Sequence, residues 1–201
     1  MHPLLLRGHA VRMSRNDTWI FGYGSLMWRP GFSFVASRRA VAHRWERRFW
    51  QGSPDHRGVP EAPGRVVTLV PTETGSCIGV AFRVAAADTA TVVEMLDHRE
   101  RGGYRRVEVD VTIEDETPAR AVAYVADPDN PHYLGTAAVE AIAAQIAACH
   151  GPSGANREYV LELAQALRDL GAHDDHVFEL EAVLRAMTTA ASCAGAQPAD
   201  R

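Results

Sequence analysis

The spacing of apolar residues changes character once along this chain, and that change constrains the fold more than any other feature. Up to about Val125 the apolar runs are short and alternate with polar residues; from Val139 onward they recur at helical intervals. The clearest strand places Val107, Val109, Val111 and Ile113 on one face and Arg106, Glu108, Asp110 and Thr112 on the other. A turn over Glu116–Pro118 leads to a partner strand, Ala121 to Val125. Strands first and helices later, without βαβ alternation, predict an α+β domain with neither repeat nor linker.

The remaining elements follow from local punctuation. Thr18 to Tyr23 reads as a buried strand that breaks at Gly22 and Gly24 into a tight loop. Arg39 to Gln51 alternates as a long strand, and Ser53 to Gly64, rich in Gly, Pro, Asp and His, as a long loop of the functional or mobile kind. Arg65–Val70 and Ile78–Val84 are predicted to form a hairpin about Glu73-Thr74-Gly75-Ser76. Asp88 is the expected N-cap of a short helix carrying Val92, Val93 and Leu96, ended by Gly102-Gly103. Three helices follow. The first carries Val139, Ile142 and Ile146 and stops at Gly151-Pro152. The second carries Tyr159, Val160, Leu163, Leu167 and Leu170 and ends at Gly171. The third runs from Val177 through Leu180 and Leu184 to Met187. Residues 1–16 lack periodicity and read as an N-terminal extension, with Met13 as an alternative start. Residues 17–187 form the expected domain, and 188–201, small and polar, an expected disordered tail.

A chain of 201 residues can bury a core without disulfide or metal staples. Its net charge of −4 argues against nucleic acid as a partner. All 21 basic side chains are arginine; the pairs Arg38-Arg39 and Arg47-Arg48 read equally as a solvated face or an anion site. Three cysteines, Cys77, Cys149 and Cys193, leave one unpaired under any scheme and form no CxxC, which suits free thiols in a reducing compartment. The run Leu4-Leu5-Leu6 is too short for a signal core or a membrane span. A cytoplasmic protein with no membrane partner is expected.

Three familiar motifs fail in Phe21-Gly22-Tyr23-Gly24-Ser25-Leu26. The dinucleotide fingerprint needs glycine where Met27 stands; the phosphate loop needs a lysine; the nucleophile elbow needs glycines where Tyr23 and Met27 stand. What remains is a strand ending in a glycine loop, either a tight turn or a site where backbone N–H groups approach a ligand. Glu100, between Arg99 and Arg101 and before Gly102-Gly103, is either part of a surface charge cluster or a carboxylate turned into a cleft. In His173-Asp174-Asp175-His176 the aspartates are better placed to cap the third helix than to hold a metal, and no zinc spacing occurs elsewhere. Cys77 reads as a small core residue.

The run Trp19-Ile20-Phe21-Gly22-Tyr23-Gly24-Ser25-Leu26 with Trp28-Arg29-Pro30-Gly31-Phe32 resembles the opening of the ChaC-like γ-glutamylcyclotransferases. The resemblance continues in order through Gln51-Gly52-Ser53, Asp55-His56-Arg57-Gly58 and Pro63-Gly64-Arg65-Val66. It resumes at Leu96-Asp97 to Arg105, at Asn130-Pro131 to Gly135, and at Gly151-Pro152-Ser153-Gly154 with Asn156-Arg157-Glu158-Tyr159, covering about 18 to 181. It implies a small mixed β-barrel with flanking helices, and conversion of glutathione to 5-oxoproline and cysteinylglycine without metal or cofactor. It makes Glu100 the catalytic carboxylate. It assigns the γ-glutamyl end of the substrate to Tyr23, Gly24, Ser25 and Leu26, with Ile20, Phe21 and Gly22 leading in. Tyr159 is either a pocket wall or a core aromatic beside Leu163, and Arg65 or Arg57 is a candidate partner for a substrate carboxylate. Arg101 departs from the lysine often found there, and the N-terminal extension is longer than is usual in the family. Oligomeric state is not indicated. Two alternatives stand beside this reading: cyclotransfer on other γ-glutamyl amino acids or amines, and a non-catalytic binding module of the same fold.

Overall fold

In the computed structural model, which describes residues 17–114 and 116–194, the alternating segments form five strands: β1 (Thr18–Gly22), β2 (Ala36–Ser53), β3 (Gly64–Val84), β4 (Tyr104–Ile113) and β5 (Thr117–Ala126). The expected extension, residues 1–16, and the last part of the expected tail lie outside the described residues. The strands close into a barrel in the order β1-β3-β2-β4-β5. Each pairing is antiparallel except that of β1 with β5, where Trp19 and Ile20 lie parallel to Ala121 and Val122. The barrel is therefore mixed, and closure leaves no unpaired sheet edge.

The hairpin about Glu73–Ser76 does not form. β3 runs through it unbroken, because β2 is long enough to pair with both halves: Trp45–Gln51 with Val66–Pro71, and Ala36–His43 with Ser76–Arg83. The exposed polar stretch is a bulge, opposed on β2 by Arg44, a non-glycine residue at φ 66°. That bulge also reverses the phase of β2: Ala40 and Ala42 face the core before it, and Arg47, Phe49, Gln51 and Ser53 after it.

Among the described residues four α-helices flank the barrel: α1 (Thr89–Arg99), α2 (Val139–Ala148), α3 (Asn156–Asp169) and α4 (Asp175–Ala194). Asp88 precedes α1 as expected but makes no side-chain capping bond; the Thr89 hydroxyl donates to the Ala85 carbonyl instead. The short strands β6 (His150–Gly151) and β7 (Gly154–Ala155) join α2 to α3. At the end of α3, Gly171 takes φ +60°, and the N–H groups of Gly171 and Ala172 close back on Arg168 and Leu167, the Schellman arrangement. Helix α4 continues past Thr188 to Ala194: the hydroxyls of Thr188 and Thr189 donate to Leu184 and Arg185 carbonyls within the helix, so these polar residues do not break it. Helices α2, α3 and α4 pack on one another, α2 and α3 on β3, and their apolar faces bury Ile142, Ile146, Leu163, Leu167, Leu180 and Leu184. No helix among the described residues is long and apolar enough to cross a membrane.

The segment 173–176 is absorbed into the fold. Asp174 caps α4, accepting the Val177 N–H, and His176 Nε2 accepts the Phe49 N–H at 3.2 Å. Burial above all, and then the Arg48 guanidinium, pushes the His176 imidazole down to about 4, against the opposing charge of Asp174. The unfolded chain takes up this proton near 6.5, so the contribution of His176 to stability is complete above that pH and is lost as pH falls toward 4. His176→Gln, which keeps an acceptor for Phe49, is expected to flatten the decline of Tm between pH 6.5 and 4, measured by thermal melting at stepped pH.

Candidate active site

β1 delivers the chain into a 3₁₀ turn, Ser25–Met27, and glycines are needed where it bends. A Cβ on Gly22 would lie 2.9 Å from Leu26 Cβ, and one on Gly24 would lie 2.8 Å from the Tyr159 hydroxyl and 2.9 Å from Val67 Cγ2. The loop is thus both a tight turn and a close approach of bare backbone to Tyr159. Among the described residues no protein acceptor takes the N–H of Gly24 or Ser25.

Beneath the turn lies Arg47, 1% exposed. Its Nε donates to the Tyr23 carbonyl at 2.7 Å, Nη2 to the Ile78 carbonyl at 2.6 Å, and Nη1 pairs with Asp174 at 2.6 Å. Arg47 is therefore not part of a solvated face: after the bulge in β2 it points inward with Phe49 and Gln51, and it ties the glycine turn to β3 and α4. Inverting the alternation of β2 at Arg44 would have found it.

Glu100 follows the last residue of α1, its N–H still bonded to the Leu96 carbonyl. Its side chain is 17% exposed. Burial raises its pKa; the Arg99 guanidinium, with Nε 3.3 Å from Glu100 Oε1, and then His56 hold it back, while Asp55 adds to the rise. The turn behind it is clamped by two amides. Gln51, fully buried, donates to the Gly102 carbonyl at 3.0 Å, and Asn130 Nδ2 donates to Gln51 Oε1 and to the Gly103 carbonyl, both at 2.7 Å. Gly103 has φ +109°, and a Cβ there would overlap Asn130.

These parts converge on one cavity of about 460 Å³ walled by Ser25, Trp28, Arg57, Glu100, Tyr104 and Tyr159, among others. Behind it a chamber of about 40 Å³ is lined by Phe21, Tyr23, Gly24, Ser25, Leu26, Glu100 and Tyr159, with Val67, Tyr104 and Tyr124. Glu100, Ser25, Tyr104 and Tyr159 border both. Ile20 and Gly22 reach neither wall; Ile20 is fully buried in the core and carries the loop instead of lining it. Tyr159 is both things at once, a buried ring edge-on to Phe49 and Trp28 and a wall of the cavity. Arg65 is spent elsewhere, on the Phe49 and Gly135 carbonyls and Gln145. Arg57 does line the cavity, its guanidinium 5.7 Å over the Tyr159 ring and paired with Glu162 at 3.3 Å. Among the described residues no group of His, Cys, Asp and Glu is arranged to hold a metal.

The mixed five-stranded barrel with its flanking helices is the fold of a γ-glutamylcyclotransferase-like protein. Residues 18–187 match the family described as ChaC-like protein, and the chain belongs to that family. Glutathione-specific gamma-glutamylcyclotransferase 1 of Homo sapiens is 44% identical over 195 residues, covering 92% of this chain and 86% of the human protein. Its namesake from Danio rerio is 44% identical over 187 residues, covering 90% and 95%. The crystal structure of a selenomethionine-labelled γ-glutamyl cyclotransferase specific to glutathione from yeast superposes with a TM-score of 0.80 at 28% identity, covering 85% of this chain and 96% of that one.

Gly24→Ala is expected to lower kcat/KM about 100-fold by displacing Tyr159 against the turn, with steady-state kinetics as the check. Arg47→Met leaves Asp174 and two carbonyls without their buried partner and is expected to cost about 3–5 kcal/mol in urea unfolding.

Proposed function

We propose that this chain is a glutathione-specific γ-glutamylcyclotransferase in which Glu100 moves the proton. The observation that carries the reading is that Glu100 shares one cavity wall with Ser25 and Tyr159, and one inner chamber with Gly24, in a chain of the ChaC-like family. The cavity is of the size that takes a tripeptide.

The chemistry asks little of the protein beyond geometry and one base. In glutathione the α-amine and the γ-carbonyl carbon belong to the same residue, and their bond closes a five-membered lactam. The amine, mostly ammonium at neutral pH, must first lose a proton. Glu100 takes it; the amine nitrogen attacks the γ-carbonyl carbon; the carbonyl oxygen gains negative charge; and the bond to the cysteine nitrogen breaks. The proton held by Glu100 goes to that leaving nitrogen. The second proton, which the attacking nitrogen still carries after bonding to carbon, passes by way of the freed Glu100 carboxylate to the same released amine. The products are 5-oxoproline as a neutral lactam and cysteinylglycine as its ammonium form, with atoms and charge balanced. Acid–base help of this kind is worth roughly 10²- to 10⁴-fold. Positioning adds more, since well-oriented intramolecular attack reaches effective molarities of about 10⁵ M or above. The N–H groups of Gly24 and Ser25 are the natural donors for the developing oxyanion, being rigid and uncommitted to any protein acceptor among the described residues.

The raised pKa of Glu100 suits a base that must also give its proton back. Its sign carries a cost. A carboxyl with a folded pKa above the unfolded value of 4.5 stabilises the protein below that value, and the contribution is lost as pH rises. The substrate belongs to a reducing compartment, and the free thiols of Cys77 and Cys149 suit the cytoplasm.

Glu100→Gln is expected to abolish at least about 99% of 5-oxoproline release from glutathione, while its Tm at pH 7 is no lower than that of the parent protein. Assays on glutathione and γ-glutamyl-alanine in parallel set the specificity: comparable release from both would overturn the glutathione assignment. Calorimetric binding of glutathione by the parent protein without product would leave only a binding module.

A further inference from the structure

We propose that Arg99 is the positioning residue of this site: its guanidinium latches the end of α1 to the turn after β1 and supplies the counter-charge that faces Glu100. The inference rests on Glu100 being the base.

The geometry is a single guanidinium shared among three hydrogen-bond acceptors and one ion-pair partner. Nη1 donates to the Arg29 carbonyl at 3.0 Å and the Pro30 carbonyl at 3.1 Å, Nη2 donates to the Ser25 hydroxyl oxygen at 2.9 Å, and Nε lies 3.3 Å from Glu100 Oε1. Its side chain is 30% exposed and borders the main cavity. Arg101, one residue beyond Glu100, is exposed and borders neither cavity, so the two arginines flanking the carboxylate are not equivalent.

Glu100 needs such a partner for two reasons. It sits at the C-terminal end of a helix, where the orphan carbonyls make a second negative charge unfavourable. It is also largely sheltered from water. The other groups around it give little relief. Tyr23 at the end of β1, Tyr104 on β4, Tyr124 on β5 and Tyr159 on α3 are phenols held neutral by burial, each pushed further up by Glu100 itself. In the loop after β2, Asp55 opposes ionisation and His56 assists it, while Arg57 on the same wall is engaged with Glu162. Arg99 is the cation in contact with the carboxylate, and it is anchored on the turn that carries Ser25. An arginine fork can do both jobs, whereas a lysine can supply the charge but not the fork.

The test is the pH dependence of kcat/KM for the parent protein, Arg99→Gln, Arg99→Lys and Glu100→Gln, each first checked for a cooperative melt. Arg99→Gln is expected to move the acid limb up by about one pH unit or more, as loss of an adjacent opposite charge does. Arg99→Lys is expected to leave that limb within about half a unit and to raise KM about tenfold, because the charge stays and the anchor on Ser25, Arg29 and Pro30 goes. An Arg99→Gln profile that overlays the parent's overturns the proposal, as does an Arg99→Lys limb displaced as far as that of Arg99→Gln. Should Arg99→Gln fail to fold, Arg99→Lys decides alone: a held limb with raised KM supports the latch, and any other combination rejects it. Glu100→Gln separates the two ideas, since activity retained there removes the base itself, whereas loss there beside an unmoved Arg99→Gln limb removes only the role of Arg99.

Discussion

The arrangement depends on a buried cation. Arg47 is enclosed where the end of β1, the middle of β3 and the N-terminus of α4 meet, and it bonds to each. Removing a guanidinium from water costs several kcal/mol, which the ion pair with Asp174 and two carbonyls must offset together. An apolar side chain of that size could fill the space, but it could not hold the Tyr23 carbonyl inward. With that carbonyl pinned, the peptide that follows is presented to the cavity. Asp174 serves twice, as cap of α4 and partner of Arg47, so the helical layer and the glycine turn share one carboxylate.

The β4–β5 pair and the end of α3 were legible because each is governed by residues next to one another in sequence: period-two alternation in β4 and Gly171 after α3. Helix α2, by contrast, ends at Ala148, before Gly151, as Cys149 turns extended and leads into β6. The stretch Glu73–Ser76 was misread because it carries every local mark of a turn, and only the length of the partner strand keeps it extended. The same bulge hid Arg47 and Gln51, whose inward orientation appears once the phase of β2 is inverted at Arg44. For the site, the glycine turn and Glu100 came from resemblance to a family, since the charge pattern around Glu100 taken alone favours a surface cluster. What separates Arg99 from Arg101 is which of them the turn after β1 folds over, and that is a tertiary fact.

Around Glu100 two electrostatic tendencies are set against one another. Burial, the helix end and Asp55 favour the neutral acid; Arg99 and His56 favour the anion. A group so balanced changes charge at modest cost, as the proton transfer proposed for it requires. The amide clamp of Gln51 and Asn130 keeps the balance from drifting, because it fixes the Gly102–Gly103 backbone through its carbonyls and leaves the carboxylate itself untouched.

The small chamber behind the glycine turn bears on which products can form. The γ-amide is equally open, in principle, to attack by solvent, and that route would end in open-chain glutamate. A recess of about 40 Å³ ringed by aromatic side chains still has room for about two or three waters, so on the proposed mechanism the fixed orientation of the substrate's own amine, and not dryness, decides between ring closure and hydrolysis. Orientation thus favours a ring over hydrolysis: the α-nitrogen ends in the lactam and the cysteine nitrogen departs.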